Sequence, residues 1–170
     1  MLFRSIKKKT MSEITYRGIQ SFYDLTTKVR DILQSDINVN TVTFGDITEV
    51  DLNKQTIFPL SHIMINNVTD NGQTLSYNIS VMAMDVVDTS KDATTDIFVG
   101  NDNRQDILNT QLTVLNRLQQ KLRKGTPHQD GYHLEGSASM EAFYDRFENE
   151  LAGWVSTFDV VTMNTIDICN

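Results

Sequence analysis

The sequence predicts an α+β fold in which an antiparallel sheet with a long β-hairpin carries two helices packed on one side. Three features predict it: two segments with helical spacing of apolar residues, an Asn-Gly turn between two strand-like segments, and two strand-like segments near the C-terminus. A chain of 170 residues with 39% hydrophobic residues is long enough for one core. We therefore predict a flexible N-terminal arm over residues 1–16, unless a neighbouring subunit holds it, and a single α+β domain over residues 17–170.

The first helix is predicted over residues 17–35. Its apolar side chains recur every three or four positions and therefore share one face. They are Ile19, Phe22, Leu25, Val29, Ile32 and Leu33. After this helix the helical spacing of apolar residues ends, and residues 42–47 predict a strand and a turn. Gly45 and Asp46 are typical turn residues.

The next two segments predict the β-hairpin. Residues 57–68 have the composition of a long strand, and Pro59 belongs at its start, at an edge or at a bulge because proline cannot donate a ladder hydrogen bond. Asn71 and Gly72 then form a strong hairpin turn motif. Beyond the turn, residues 75–86 at first alternate between apolar and polar side chains and later are apolar at successive positions. We therefore expect the far half of this strand to be buried on both faces.

A polar connection over residues 88–101 is expected to loop outward before a second helix, which should begin near residues 101–103. We interpret the apolar stripe of this helix as core rather than as a partner-binding groove. The stripe consists of Ile107, Leu108, Leu112, Leu115, Leu118 and Leu122. Three cations in the last turn, followed by Gly125 and Pro127, indicate the end of the helix.

The remaining chain predicts a turn-rich loop over residues 126–136, a strand over residues 137–143, an aromatic bend, and a last strand over residues 153–163. Five aromatic residues lie close together here: Phe143, Tyr144, Phe147, Trp154 and Phe158. They are either a plug in the core or the anchors of a subunit contact, because aromatic side chains dominate both.

The sequence does not indicate an enzyme, a metal site or a bound cofactor. His128 and His133 lie close to Asp130 and Glu135, but structural zinc sites usually draw four ligands from two tight pairs, so we interpret this segment as a solvated loop. His62 lies in an apolar strand, which favours a hydrogen-bonded, partly buried histidine over a ligand or a base. The sequence contains neither a Gly-x-Ser-x-Gly nucleophile motif nor a glycine-rich phosphate loop.

The charge distribution is acidic outside the first ten residues. The net charge is −7, and residues 1–10 carry four cations and no acids, which leaves −11 for residues 11–170. Such a body disfavours general binding of nucleic acid, but it is compatible with a wall along which DNA slides. The single cysteine, Cys169, excludes an internal disulfide and fits a reducing compartment. The chain has no stretch of about 18 apolar residues that would span a membrane.

Four segments of the sequence carry a resemblance to a known family. They are Thr43-Phe44-Gly45-Asp46, Phe58-Pro59-Leu60-Ser61-His62-Ile63, Met84-Asp85-Val86-Val87-Asp88 and residues 143–154. In this order, with the helices between them, they resemble the tail terminator and neck proteins of tailed bacteriophages, including crAss-like phages of Bacteroidetes hosts. The resemblance covers most of residues 15–168.

The resemblance implies a virion structural protein without catalytic residues, assembled in the host cytoplasm. It implies a closed homo-oligomeric ring, a hexamer or dodecamer, at the neck–tail junction. Such a ring contacts neighbouring neck and tail proteins and surrounds DNA without specific recognition. The candidate subunit-interface residues are Phe44, Asp46, Pro59, Phe143, Phe147 and Trp154. The alternatives are a tail-tube or tail-completion subunit and, in a different class, a small cytosolic enzyme of unknown type.

Overall fold

The computed structural model describes residues 19–146 and 150–164. Within these residues, five strands form one sheet, and two long helices cover one of its faces. The strands are β1 (Thr41–Phe44), β2 (Leu60–Asp70), β3 (Thr74–Val86), β4 (His133–Arg146) and β5 (Leu151–Met163), and the helices are α1 (Gln20–Gln34), α2 (Arg104–Lys124) and the short α3 (Thr126–Gln129). The strand order is β1-β2-β3-β5-β4. The α+β class is therefore confirmed for these residues.

The sheet is mixed, so the prediction of a purely antiparallel sheet was wrong at one edge. β1 runs parallel to β2, with Thr41 beside Leu60. A parallel pair needs a crossover of about a dozen residues or more, and residues 45–59 supply it through two 3-10 turns, Ile47–Glu49 and Gln55–Ile57. The crossover returns the chain to the start of β1, where the amides of Asn40 and Thr41 donate to the Pro59 carbonyl at 2.8 and 3.3 Å.

The main core lies between the helices and the sheet. On β3, alternate residues from Leu75 to Ala83 face this core. Leu25 and Val29 of α1 and Leu115 and Leu118 of α2 are completely buried against them. The prediction that the apolar stripe of α2 is core is confirmed for Leu115, Leu118 and Leu122, whereas Leu108 and Leu112 are only half-buried. Helix α1 begins at Gln20, within the predicted span, whereas residues 17–18 and the predicted arm lie outside the described residues.

A second, smaller core lies on the opposite face of the sheet, where the crossover covers it. Phe58, Leu60, Met82, Met84, Phe143 and Leu151 form this second core. Because β3 has one core on each side over this half, residues 79–84 are buried without interruption. The prediction that the far half of this strand is buried on both faces is confirmed.

The β2–β3 hairpin is confirmed, and its turn depends on Gly72, which has a φ of 81°. The Gly72 amide donates to the Asp70 carboxylate at 2.7 Å. After α2, the predicted loop over residues 126–136 was wrong, because α3 forms there and β4 already begins at His133. Gly136, with a φ of 64°, lies in an irregularity of the β4–β5 register, and this bulge lets β4 continue through a turn-like sequence.

Candidate assembly surfaces

The two edges of the described sheet are the first candidate surface. β1 forms one edge and β4 the other, with β2, β3 and β5 between them. An edge strand presents backbone N–H and C=O groups that can pair with a strand of another chain. Because the two edges differ and lie on opposite sides, a contact between them would be heterologous and could repeat from copy to copy.

A groove runs along the β1 edge, between β1 and α1, and is called the edge groove below. Its volume is about 200 Å³, and it is lined by Thr26, Thr27, Arg30, Val42, Thr43, Phe44 and Ile63. The Phe44 side chain is 54% exposed. Its ring meets the Phe22 ring edge to face, with a centroid distance of 6.3 Å. Phe44 forms one wall of this open groove, whose lining is divided between the apolar Val42, Phe44 and Ile63 and the polar Thr26, Thr27, Arg30 and Thr43.

The His62 side chain, on β2, is hydrogen-bonded to the end of β1. It is fully buried, and its ring nitrogens contact the Thr43 hydroxyl at 2.7 Å and the Gly45 carbonyl at 3.0 Å. A carbonyl only accepts, so Nε2 carries the proton and the Thr43 hydroxyl donates to Nδ1. Burial lowers the pKa of His62, which keeps the ring neutral. The predicted hydrogen-bonded histidine is therefore confirmed, and its side chain is fully rather than partly buried.

Asp46 and Pro59, two predicted interface residues, lie at the two ends of the crossover. Asp46 is exposed, and its carboxylate accepts a hydrogen bond from the Thr48 amide at 2.9 Å. This hydrogen bond lowers the pKa of Asp46. Pro59 is half-buried and follows a cis peptide bond. Both residues organise the segment beside β1, and their contact with a neighbour stays a prediction.

The aromatic cluster is divided between core and surface. Phe143 and Phe158 are buried, at 3% and 2% exposure. Trp154 is half-buried, and its indole Nε1 donates to the Leu108 carbonyl of α2 at 2.8 Å. Tyr144 is 55% exposed on the β4 edge. Phe143 and Trp154 thus present little free surface to a neighbour, and Phe147 lies outside the described residues.

A projecting loop, residues 88–103, carries exposed apolar side chains that the sequence prediction of a polar connection did not include. Ile97 is 97%, Phe98 85% and Val99 48% exposed. The sequence signal for this tip is the apolar triplet between Asp96 and Gly100. A contiguous exposed apolar patch of this kind typically marks an interaction surface.

The helix-free side of the sheet is polar near the β2–β3 hairpin, and this area is called the open face. Hydrogen bonds cross it from strand to strand: Asn66 Nδ2 donates to Asn78 Oδ1, and Asn78 Nδ2 donates to Asp159 Oδ1, each at 2.7 Å. Glu135 lies opposite Asp159 in the register, and Glu141 lies on the same side. Apart from Arg146, the five strands contain neither lysine nor arginine. The open face is therefore acidic.

His128 and His133 do come together, with their Nδ1 atoms 3.1 Å apart on an exposed surface. Among the described residues, no group of three or more His, Cys, Asp or Glu side chains is arranged to hold a metal ion. None of the described helices is long and apolar enough to cross a membrane. No model of a known protein family matches the sequence, and no curated protein matches it either.

Proposed function

We propose that this protein is a virion structural subunit that closes into a homo-oligomeric ring at the neck–tail junction of a tailed bacteriophage. The observation that carries the proposal is the pair of dissimilar strand edges on opposite sides of one sheet. Each edge has an exposed aromatic side chain, Phe44 on β1 and Tyr144 on β4. An exposed aromatic residue beside an edge is a typical anchor for a protein–protein contact.

In the proposed ring, β4 of one copy lies beside β1 of the next copy, and the sheet continues across the contact. β4 has 14 residues and β1 has four, so backbone pairing extends over a short segment only. Side chains around the edges then contribute most of the binding free energy. A rotation that closes after six or twelve copies gives the ring that the family resemblance implies.

The open face is proposed to line the channel. Its carboxylates, Asp159, Glu135 and Glu141, repel the phosphates of passing DNA, and strands whose only lysine or arginine is Arg146 release few counterions on contact. DNA therefore moves past the wall without being held. The net charge of −11 on residues 11–170 is consistent with this arrangement, because a polyanion that slides past an acidic surface is repelled and makes no specific contacts.

Light scattering coupled to size-exclusion chromatography tests the ring, together with negative-stain images of the same fractions. We expect closed particles with one copy number and a central opening. Polydisperse stacks would instead favour a tail-tube subunit. A monomer at every accessible concentration would refute the proposal. Labelling of the protein in intact virions should place it at the collar or the tail end.

Charge reversal tests the open face. We expect the double variant Glu135→Lys and Glu141→Lys to gain DNA binding that weakens with added salt, while the unmodified ring shows little. The matched control is the same double charge reversal at Asp31 of α1 and Asp106 of α2, which are exposed on the helices on the other side of the sheet. An equal gain in both double variants would show that the open face does not line the channel.

A further inference from the structure

We propose that the projecting loop of one copy inserts the Phe98 side chain into the edge groove of the next copy. This inference rests on the proposed ring and names one of its contacts. The partner is therefore a second copy of this chain.

The tip of the projecting loop is held in shape by its own hydrogen bonds. At the base, the Ser90 amide donates to the Asn101 carbonyl at 2.7 Å. At the tip, the Phe98 amide donates to the Asp96 carboxylate and the Gly100 amide donates to the Asp96 carbonyl, each at 2.9 Å. A loop that is already ordered loses less conformational entropy on binding. The exposed Phe98 ring is thus presented on an organised support.

The edge groove has room for a phenyl ring, and three of its seven lining residues are apolar. Its volume is about 200 Å³, whereas an apolar cavity of about 150 Å³ is large enough for benzene. Val42, Phe44 and Ile63 supply apolar walls. The exposed Phe44 ring offers an edge or a face to an incoming aromatic ring, a geometry that aromatic pairs favour.

The charges of the two surfaces are complementary. The projecting loop contains four aspartates, one of which is Asp96 beside the tip, and a single cation, Lys91. The edge groove carries Arg30, which makes an exposed ion pair with its neighbour Asp31 at 2.9 Å. Such a pair contributes little stability, so Arg30 is able to turn toward an incoming aspartate.

The two surfaces lie apart within one copy. The projecting loop leads into α2, and the first turns of α2 lie over β5, where Trp154 donates to the Leu108 carbonyl. The edge groove is at β1, three strand positions away from β5, which is roughly 14 Å at the usual spacing of strands. A loop-to-groove contact between copies is therefore heterologous, as a ring requires.

The first test compares two substitutions of exposed apolar residues in the full chain. Phe98→Ser should raise the dissociation constant of the oligomer by about tenfold or more, as expected for an aromatic anchor. The control Ile37→Ser removes a side chain that is 91% exposed elsewhere and should leave the dissociation constant unchanged. Sedimentation velocity over a dilution series measures both. Equal effects of the two variants would overturn the inference.

The second test is cross-linking with a short bismaleimide in a Cys169→Ser background. A chain carrying both Ile97→Cys and Thr27→Cys keeps the Phe98 ring, and it should give a ladder of covalent species up to the copy number of the ring, while either cysteine alone should give no ladder. Rings that form without a ladder would refute the loop contact and leave the proposed function standing. Monomers at all concentrations would refute both.

Discussion

Gly153→Ala is the substitution whose effect follows most directly from the geometry. Gly153 lies on β5 opposite Met84 of β3 and Phe143 of β4. A Cβ atom at this position would overlap the Ala83 carbonyl oxygen and lie 2.8 Å from Met84 Cα, inside the 3.4 Å at which ordinary contact begins. Both obstacles are backbone atoms, so no side-chain rotation relieves them. The β3–β5 pair must move apart locally.

We expect a loss of about 3 kcal/mol in the free energy of unfolding. Overpacking in a core costs about 1–3 kcal/mol, and each weakened ladder hydrogen bond adds about 0.5–1.5 kcal/mol. For a chain of this size, that loss corresponds to a decrease of roughly 6–12 °C in Tm.

Urea unfolding of the full chain measures this loss, at two protein concentrations so that oligomer dissociation is separated from unfolding. The control is Ser139→Ala, an exposed position of β4 that packs against no such backbone. A loss below about 0.5 kcal/mol for Gly153→Ala, which is the range of ordinary surface changes, would show that the strands do not approach this closely.

The remaining predictions concern Trp154 and two titrating groups. Trp154→Ala should lower the free energy of unfolding by about 3–5 kcal/mol through the cavity it leaves. Trp154→Phe should lower it much less, since this variant loses mainly the hydrogen bond to the Leu108 carbonyl. A melting temperature that is unchanged in both variants, with assembly lost, would place Trp154 at an interface. Because burial lowers the pKa of His62, the unfolded chain takes up the proton first, and stability should fall as the pH decreases below 6.5; a His62→Gln variant that keeps the same pH dependence would contradict this. Burial raises the pKa of Asp85 above 3.8, so its ionised form destabilises the fold as the pH rises. Asp85→Asn should therefore be more stable than the parent at pH 7, and the difference should shrink on acidification in urea titrations; a constant difference would refute the assignment.

The local elements of this fold follow well from short-range patterns. The apolar spacing of α1 and α2 and the turn at Gly72 depend on neighbouring residues, so they were predictable from the sequence. The direction of β1 was not, because it depends on where the crossover ends, and that is decided by contacts such as the hydrogen bonds to the Pro59 carbonyl. The length of β4 was missed for a related reason, since a bulge at Gly136 permits a strand where the composition favours a loop.

The candidate surfaces were only partly predictable. Phe44 is exposed, as a contact residue must be, and its contact with a neighbour stays a prediction. Phe143 has the same residue type but fills the second core, because the crossover closes over that side of the sheet. The tip at Phe98 was overlooked because three apolar residues within a polar connection have the pattern of neither a helix nor a strand.

The sequence by itself determined the α+β class, the helices, the hairpin and the acidic body, because each depends on composition or on residues a few positions apart. The tertiary structure alone decided which strands form the edges, which aromatic rings are exposed and which acids share the open face. These properties depend on pairing between distant segments, such as β3 with β5 and β1 with β2, and no local pattern encodes the free energy of that pairing.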